Sequence, residues 1–589
     1  MGYPETVTPR ARLLPVISHA KARIALALAT ALTTATVTAA QAPKAALDTT
    51  RINAVFKQYH RKDSPGCALG VYRNGIIAYA RGYGMADLER GVPITPATLF
   101  DLGSTSKQFT AASIALLVAD GKLSFQDAVR KYLPEIPDYG ATITLDHLVR
   151  HTSGIRDYAG LLSLAGWKLE DVTTDDDAIQ IIARQRALNF PPGTKWDYSN
   201  SGFFLLSIVV QRVTGKNLAE FAKERIFTPL GMTNTHFRND HNAILPGRAL
   251  GYSPLEKGGF RNDMSSWDQL GDGAVQSSVE ELVKWDRNFY TPTVGGQALL
   301  DRLQEPGTLS NGKPHGYGRG LFLDTYRGVR RVQHGGAWAG YRAMLMRFPE
   351  QRTSFAVLCN VGSANTSKLA EGAADVVLGG AFRRVEVVAG GASSQVREAD
   401  SAKGMGAGSV DPHRFEGIYF AETEQSVIRV VSQGGGLAVR AFGTIIPLKP
   451  AGLERFRAER YPLEIEFSGP PDVPASAARM GFRGEEGASY VRVAAASPGP
   501  DRVAELAGTY YSPELDASWK ILVKEGRAVV SGRGIGEDPL DPVFEDAFTA
   551  GPSFLRFTRD AAGKIAGFEA SASRMQRIRF ERGAGNAGR

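Results

Sequence analysis

Ser104 and Lys107 lie three residues apart where an apolar helical segment begins, in the stretch LFDLGSTSKQFTAASIALLVADGKL, residues 99–123. At a helix N-terminus, a serine oxygen lies close to free backbone N–H groups, which favour developing negative charge. A lysine one turn later is on the same face and within reach of that oxygen. It accepts a proton near neutral pH only if burial lowers its pKa. The pair indicates either a nucleophile with its own base or an N-cap serine beside a solvated lysine.

Two further segments carry side chains that suit acyl transfer. KWDYSNSGFFLL contains Tyr198 and Asn200, and in an extended segment this spacing places both on one face, where they can relay a proton and hold an amide or ester. VQHGGAWAG contains His334, which can bind a polar end of the substrate or tune proton transfer. The following Gly335 and Gly336 let another backbone approach this strand closely. Each motif taken alone is equally typical of a structural role.

Together and in this order, the three motifs resemble those of the penicillin-recognising serine hydrolases. That family includes class C β-lactamases, DD-peptidases, D-aminopeptidases and esterase relatives. The resemblance extends over about residues 48–382 and includes LVRHTSGI at 148–155 and GDGAVQSS at 271–278. It implies an α/β (α+β) serine β-lactamase-like domain, in which an antiparallel sheet is flanked by helices.

The resemblance also implies a role for each residue. Ser104 is the expected acylated nucleophile, Lys107 and Tyr198 share proton transfer, and Asn200 orders the network and the substrate. The backbone N–H groups of Ser104 and Ala337 form the expected oxyanion hole, in which one donor typically contributes about 3 kcal/mol. We find no motif equivalent to the separate deacylating glutamate of class A β-lactamases, so water activation is expected to fall to Tyr198 with Lys107.

His334 takes the place that a lysine often holds in this family, and Gly335, Gly336 and Ala337 follow it as expected substrate contacts. A lysine is a constant point charge, whereas a histidine is only partly charged at neutral pH, which argues against an efficient β-lactamase. The family's D-aminopeptidases carry a histidine-led triad and two C-terminal β domains. The chain is therefore predicted to cleave D-amino-acid amides or short D-residue peptides.

Other functions stay open at this point. A small-ester esterase or a weak β-lactamase would use the same residues. A penicillin-binding sensor would need only acylation without turnover, and a non-catalytic scaffold would leave Ser104 unlabelled. The motif HLVRH, residues 147–151, lacks the glutamate of a zinc protease, so neither a metal nor a cofactor is implied.

The remaining sequence divides into recognisable regions. We predict a signal peptide at 1–40, a hydrolase domain at 45–385, a Gly- and Ser-rich linker at 386–412, and two small antiparallel all-β, barrel-like domains at 413–497 and 502–584. The two β regions repeat each other. FEGIYF from Phe415 matches LAGTYY from Leu506, and Phe456 matches Phe548 at nearly the same offset. An insertion-like segment at 160–179 is expected to wall the cleft.

The N-terminal segment and the overall charge constrain location and partners. Basic residues end at Arg23, an apolar run reaches Ala40, and Thr38 and Ala40 suit signal cleavage, so we expect export to the periplasm or the medium. No stable membrane span is expected after cleavage. Part of the net charge of +8 belongs to residues 1–40, and the remaining excess is spread out without a basic run interleaved with aromatic residues, which argues against nucleic-acid binding. The expected partner is a small molecule or short peptide, and the oligomeric state is left open.

The chain contains two cysteines, Cys67 and Cys359, and both lie in β-like runs. Buried free thiols are the favoured interpretation, although export permits a disulfide if the two strands pair.

Overall fold

The structure is a computed structural model that describes residues 46–382, 411–441, 443–458, 463–482 and 487–583. The predicted signal peptide and nearly all of the predicted linker lie outside these residues. Within these ranges, no helix combines the length and the apolar character needed to cross a membrane. The predicted domain boundaries stay predictions. We refer below to the α/β domain (46–382), the first β-domain (411–493) and the second β-domain (500–583).

The α/β domain is built on a six-stranded antiparallel sheet. Its strands are β1 (Cys67–Arg73), β2 (Ile76–Tyr83), β3 (Phe322–Tyr326), β4 (Val329–Trp338), β5 (Tyr341–Phe348) and β6 (Thr353–Cys359). Their order in the sheet is β3-β4-β5-β6-β1-β2, so strands from both ends of the domain in sequence meet in the middle of the sheet. Asn74 and Gly75, both with positive φ, make the tight turn between β1 and β2.

Helices cover both faces of this sheet. They are α1 (Thr49–Val55), α2 (Lys107–Ala119), α3 (Leu145–Val149), α4 (Tyr158–Leu164), α5 (Asp175–Ala183), α6 (Asn200–Thr214), α7 (Leu218–Ala222), α8 (Val279–Asn288), α9 (Gly296–Leu303) and α10 (Thr366–Leu378). Alternate residues of β1 face opposite sides, so Leu69 packs with α1 and α10, whereas Ala68 packs in the core that contains α2 and α6. The predicted helix-flanked antiparallel sheet is confirmed.

Short strands complete the α/β domain around the site. They are Met85–Asp87, Val92–Pro93, Phe100–Asp101, His236–Phe237, Tyr252–Pro254, Phe260–Asn262, Val275–Ser277, Gly307–Thr308 and Pro314–His315. Phe100–Asp101 and His236–Phe237 both pair with Val275–Ser277, which fixes the segment leading into α2 against the segment that contains Asp272.

The expectation of free thiols is wrong, because Cys67 and Cys359 form a disulfide. β1 and β6 are neighbours in the sheet, and their register places the two cysteines directly opposite each other, with Cα atoms 4.0 Å apart. Both residues are fully buried. The bridge joins the first and last strands of the domain in sequence.

Both predicted all-β regions are present. The first β-domain is a closed barrel of eight antiparallel strands, Gly417–Ala421, Ser426–Gln433, Gly436–Ala441, Thr444–Pro450, Arg455–Ala458, Leu463–Ser468, Ala477–Phe482 and Ala488–Val493. The second β-domain begins with a short helix, Pro500–Glu505, followed by a nine-stranded sheet. Its strands are Gly508–Ser512, Ala517–Lys524, Arg527–Gly532, Ile535–Pro539, Asp541–Phe544, Ala547–Ala550, Ser553–Arg559, Ile565–Ala572 and Met575–Arg582. Its two edge strands are consecutive in sequence, so this sheet nearly closes.

The predicted repeat has a structural counterpart. In the first β-domain, the Tyr419 hydroxyl donates to the Phe415 carbonyl over 2.9 Å; in the second, the Tyr510 hydroxyl donates to the Leu506 carbonyl over 2.7 Å. Both tyrosines are fully buried and lie in the first strand of their β-domain. The matched FEGIYF and LAGTYY segments therefore make the same local structure twice.

Candidate active site

The turn that carries Ser104 is held tightly at the base of a cavity. Gly103–Ser106 forms a 3-10 turn, and α2 begins at Lys107, so Ser104 lies in a short turn just before the helix and not at its first residue as predicted. Gly103 has φ +48°, and a Cβ on it would lie 2.7 Å from the backbone nitrogen of Ala337. The side chain of Asp101 accepts the Gly103 N–H over 2.8 Å. Glycine is required here because the turn and β4 are in direct backbone contact.

Lys107 is fully buried, and its ammonium group is surrounded by acceptors. Nζ donates to Ser104 Oγ over 3.1 Å, to Asn200 Oδ1 over 2.8 Å and to the Asp272 carbonyl over 2.6 Å. Burial lowers the pKa of Lys107 to about 7, against the opposing charges of Asp272 and Asp157. Once it loses a proton, the amine can accept the Ser104 hydroxyl hydrogen across the same contact. The interpretation as a solvated surface lysine is therefore wrong.

Tyr198 packs beside this pair as a neutral phenol. Its ring centroid lies 4.9 Å from Lys107 Nζ and 4.2 Å from the imidazole of His151. Burial raises the pKa of Tyr198 well above its usual range, although the nearby Ser104 hydroxyl opposes the shift. The phenol oxygen is buried and has no hydrogen-bond partner within the described ranges. A protonated phenol with a free hydroxyl suits a proton relay better than a permanent base.

Asn200 is the first residue of α6, so the expectation of an extended segment through Tyr198 and Asn200 is only partly right. Ser199 between them is extended, with φ −135° and ψ 127°, but the helix starts directly afterwards. Asp157 fixes this start, because its Oδ2 accepts the Asn200 N–H over 2.7 Å. The amide oxygen of Asn200 is thereby directed to Lys107 Nζ.

β4 passes directly over the Ser104 turn, and Gly336 is what allows it. A Cβ on Gly336 would lie 1.9 Å from the Leu102 carbonyl oxygen, and the Thr105 hydroxyl donates to the His334 carbonyl over 3.1 Å. The pairing of β3 with β4 ends at Gln333, so the next five residues of β4 have no strand on that side. Gly335, Gly336 and Ala337 therefore line the cavity beside Ser104.

His334 is neutral, which corrects the expectation of a partly charged histidine. Its ring is buried, and desolvation together with the charge of Lys107 lowers the pKa of His334 to about 3. The Gly335 carbonyl can only accept a hydrogen bond, so Nδ1 carries the proton and donates over 2.6 Å. Nε2 then accepts from the Tyr317 hydroxyl, 3.0 Å away. With both ring nitrogens engaged by the protein, His334 positions β4 and Tyr317 at the edge of the cavity.

Comparison with known proteins identifies the fold. The Beta-lactamase family matches residues 52–378, which is more than half of the chain. The chain belongs to the beta-lactamase family. Like its relatives, it is a serine hydrolase.

The relatives of this beta-lactamase family member include D-aminopeptidases. The chain is 29% identical to the D-aminopeptidase of Gluconobacter oxydans (strain 621H) over 472 residues, covering 80% of this chain and 84% of the relative. It is 27% identical to the D-aminopeptidase of Brucella melitensis biotype 1 over 539 residues, covering 88% and 96%. The solved octameric penicillin-binding protein homologue from Pyrococcus abyssi is 22% identical, covers 76% of this chain and 100% of that chain, and has a TM-score of 0.54, which indicates a shared fold.

In this beta-lactamase family member, the cavity is enclosed by all three domains. It has a volume of about 1580 Å³, with Ser104 and Tyr198 on the α/β wall. The first β-domain contributes Glu424 and Tyr490, and the second contributes Arg574. The expectation that segment 160–179 walls this cavity is wrong, because none of its residues lines it. This segment instead packs against the second β-domain, where the Trp519 indole N–H donates to the Leu164 carbonyl over 3.2 Å.

Four residues near Ser104 have no role assigned from the sequence. Asp272 lies in GDGAVQSS and His151 in LVRHTSGI, both of which mark the family resemblance without indicating these contacts. Tyr317 and Arg574 stand in no recognised motif. Their positions depend on long-range packing, so no local spacing could have revealed them. Among the described residues, no cluster of three or more His, Cys, Asp or Glu side chains is arranged to hold a metal ion.

Proposed function

We propose that this protein is an exported serine hydrolase that cleaves the amide bond of D-amino-acid amides or short D-residue peptides through an acyl-enzyme on Ser104. The observation that carries this proposal is the 3.1 Å contact between Ser104 Oγ and Nζ of the fully buried Lys107. The pKa of this lysine is lowered to about 7, so the base is available at neutral pH. The substrate class rests on the D-aminopeptidase relatives, which cover most of both chains.

Acylation begins with neutral Lys107. Ser104 Oγ bonds to the substrate carbonyl carbon while its proton passes to Lys107 Nζ, and the carbonyl electron pair moves to oxygen. We assign the backbone N–H groups of Ser104 and Ala337 as donors to this oxyanion, since β4 and the Ser104 turn are in contact there. When the tetrahedral intermediate collapses, the C–N bond breaks. The departing nitrogen takes the proton from Lys107 through the Tyr198 hydroxyl and leaves as ammonia or an amine.

Deacylation repeats the sequence with water. Lys107, again neutral, removes a proton from a water that adds to the acyl carbon, with Tyr198 as relay. The C–Oγ bond then breaks, and the proton returns to Ser104. Asn200 holds Nζ in place through both steps, because its amide oxygen accepts from Lys107 over 2.8 Å.

Export is part of this proposal. Its basis is the basic and apolar N-terminal segment of residues 1–40, together with the buried Cys67–Cys359 disulfide. Disulfides persist in oxidising compartments such as the periplasm or the medium and are rare in the cytosol. Detection of the protein in the periplasmic or medium fraction, with its new N-terminus at Gln41, is the expected result. Retention of the uncleaved chain in the cytosol would contradict it.

Intact-mass spectrometry over time tests the catalytic proposal. The protein is mixed separately with a penicillin, D-alanine amide and a small acyl ester, with Ser104→Ala as the control. We expect D-alanine from the amide and a penicillin adduct that is absent in the variant. An adduct without turnover of either other substrate would instead indicate a penicillin-binding sensor. Turnover of the ester alone would indicate an esterase, and no reaction at all would indicate a scaffold.

A further inference from the structure

A hairpin of the second β-domain reaches into the cavity beside the candidate catalytic residues. Ser573 and Arg574 form its turn, between strands Ile565–Ala572 and Met575–Arg582. Ser573 has φ +44°, which makes the turn tight. Both residues line the same cavity as Ser104 and Tyr198. The hairpin thus places a cationic side chain from a different domain at the mouth of the reaction site.

The hairpin is fixed to the α/β domain by backbone hydrogen bonds. The Arg574 carbonyl accepts Asn189 Nδ2 over 2.7 Å, and the Asn189 side-chain oxygen accepts the Gln576 N–H over 3.0 Å. Met575 packs so closely on α4 that a Cβ on Gly160 would lie 2.1 Å from its sulfur. The position of Arg574 is therefore set by packing and does not depend on its side-chain contacts.

A buried ion pair reinforces this docking. Arg156 Nη1 lies 2.6 Å from Glu514 Oε1, and both side chains are 2% exposed. The Glu514 carboxylate also accepts hydrogen bonds from the backbone N–H groups of Arg186 and Arg579, at 3.0 and 3.2 Å. A buried ion pair whose acceptors are this fully satisfied holds two surfaces in one geometry. Arg156 immediately precedes Asp157, so the docking surface adjoins the Asn200 end of the site.

The guanidinium of Arg574 has unused hydrogen-bonding capacity. It lies 4.6 Å from the centroid of the Tyr198 ring, and its side chain is 40% exposed. Its nearest carboxylate oxygen is Asp157 Oδ2 at 3.9 Å, too far for a hydrogen bond. Both Asp157 oxygens already accept backbone N–H groups, from Gly160 and Asn200. In the part of the chain that the structure describes, the guanidinium donates to no acceptor, so its five N–H donors are available to a ligand.

We propose that Arg574 is a specificity-determining residue that binds a carboxylate on the leaving group of the substrate. The free carboxylate of a C-terminal D-residue is such a group. This inference rests on the proposed function and narrows it from amides to short peptides with a free C-terminus. In such a peptide the carboxylate carbon lies only about 3–4 Å from the scissile carbonyl carbon. The Arg574 guanidinium and Lys107 Nζ lie 4.6 and 4.9 Å from the centroid of the Tyr198 ring, and Arg574 lines the same cavity as Ser104.

The chemistry of the arginine side chain favours a carboxylate ligand. Arginine is suited to planar carboxylates because two parallel N–H groups match the two oxygens. Asp197 also lines this part of the cavity, where burial raises its pKa to about 6 and the charges of Lys195 and Arg574 oppose that shift. His334 supplies no cation, since both of its ring nitrogens are engaged by the protein. The Arg574 guanidinium is thus a cation next to Tyr198 that no hydrogen bond of the described residues occupies, so it can bind a carboxylate.

The first test compares leaving groups that differ only in this charge. kcat/KM is measured for D-alanyl-D-alanine and for D-alanyl-D-alanine amide, in the wild type, Arg574→Gln and Arg574→Lys. Arg577→Gln is the matched control, because it removes the same charge from the same hairpin but faces Glu422 at 3.1 Å. We expect the ratio of kcat/KM for D-alanyl-D-alanine to kcat/KM for its amide to fall at least tenfold in Arg574→Gln. Arg574→Lys should restore part of this ratio, and Arg577→Gln should leave it unchanged. An unchanged ratio in Arg574→Gln would overturn the proposal.

Two further measurements separate this proposal from the proposed function. Two esters provide the same comparison without a D-residue. 3-Acetoxybenzoate carries a carboxylate on its leaving group, whereas phenyl acetate does not. The same loss of ratio on these esters supports the role of Arg574 even if D-peptides are not cleaved. Binding of D-alanine to Ser104→Ala, compared by calorimetry with Ser104→Ala/Arg574→Gln, requires no turnover. Equal affinity in the two proteins would overturn the carboxylate site, whereas at least tenfold weaker binding in the double variant would support it.

Discussion

The activity of this hydrolase should rise with pH through a transition near pH 7 of the buried Lys107–Asp272 pair, in which Lys107 is the base. A lysine with its ordinary pKa of 10.5 would be neutral in only about 0.03% of molecules at pH 7. Burial lowers the pKa of Lys107 to about 7, so about half of the molecules carry the free base at that pH. Below the transition the lysine is charged and cannot accept the Ser104 proton, so kcat/KM falls tenfold per pH unit.

No second transition is expected on the alkaline side up to about pH 10. Burial raises the pKa of Tyr198 well above its usual range, so its phenol keeps the proton that the relay needs. His334 contributes nothing between pH 5 and 10, because its pKa is lowered to about 3. The measurement is the rate of acylation by benzylpenicillin from pH 5 to 10, followed by intact mass, because this substrate has no group that titrates in the range. D-alanine amide is measured alongside, and its own α-amino group adds a substrate transition at about pH 8.

Asp272 provides the decisive comparison. Its carboxyl, whose pKa is also raised by burial, raises the pKa of Lys107 through its charge. In Asp272→Asn, the transition should move to lower pH by about one unit, since the lysine loses a nearby negative charge. Lys107→Arg should lose activity by about 1000-fold or more at every pH, because arginine does not deprotonate. A transition that stays near pH 10 in the wild type, or that vanishes in Asp272→Asn, would refute the assignment to Lys107.

Three other substitutions have defined outcomes. Tyr198→Phe should reduce kcat by about 100-fold or more and make the penicillin adduct accumulate, because deacylation loses its relay; near-normal turnover would rule out that role. Gly336→Ala should reduce kcat/KM about 100-fold, since its Cβ would lie 1.9 Å from a backbone oxygen. Gly335→Ala is the control and should be tolerated, because a Cβ there first meets the flexible end of a methionine side chain at 3.3 Å. Glu514→Ala should destabilise the docked second β-domain by about 3–5 kcal/mol because it leaves the charge of Arg156 buried without its carboxylate, and differential scanning calorimetry would show an earlier first transition. Equal effects of Gly336→Ala and Gly335→Ala would contradict the prediction for Gly336. An unchanged first calorimetric transition in Glu514→Ala would contradict the prediction for Glu514.

Local patterns in the sequence were sufficient for much of the fold. The β1–β2 hairpin turns at Asn74-Gly75, a dipeptide whose turn chemistry acts over two residues. The contact between Ser104 and Lys107 followed from one helical turn, and the close approach at Gly336 from two adjacent glycines. The two β-domains followed from a repeat that is visible without any structure. In each case the signal is a short motif or a repeat that can be read directly from the sequence.

What the sequence did not reveal depends on distant segments. The pairing of Cys67 with Cys359 requires the register of two strands from opposite ends of the domain. His334 is neutral because it is buried against Tyr317, and the sequence alone does not show which residues are buried together. The helix start at Asn200 was missed because Asp157, remote in sequence, supplies the acceptor for its N–H. Arg574 is placed by docking of a separate domain.

The neutral His334 and the open guanidinium of Arg574 together have a consequence for substrate choice. A site that recognises a carboxylate needs a cation that remains charged near neutral pH, and an arginine meets that need at any pH the fold tolerates. Because that arginine comes from the second β-domain, the charge preference for the leaving group depends on docking, whereas the acyl-transfer residues Ser104 and Lys107 depend on the α/β domain. Glu514→Ala should therefore weaken the preference for D-alanyl-D-alanine over its amide at temperatures where the docked domain has loosened, while acylation by penicillin at Ser104 persists. Parallel loss of both on heating would show that the second β-domain is needed for the nucleophile itself.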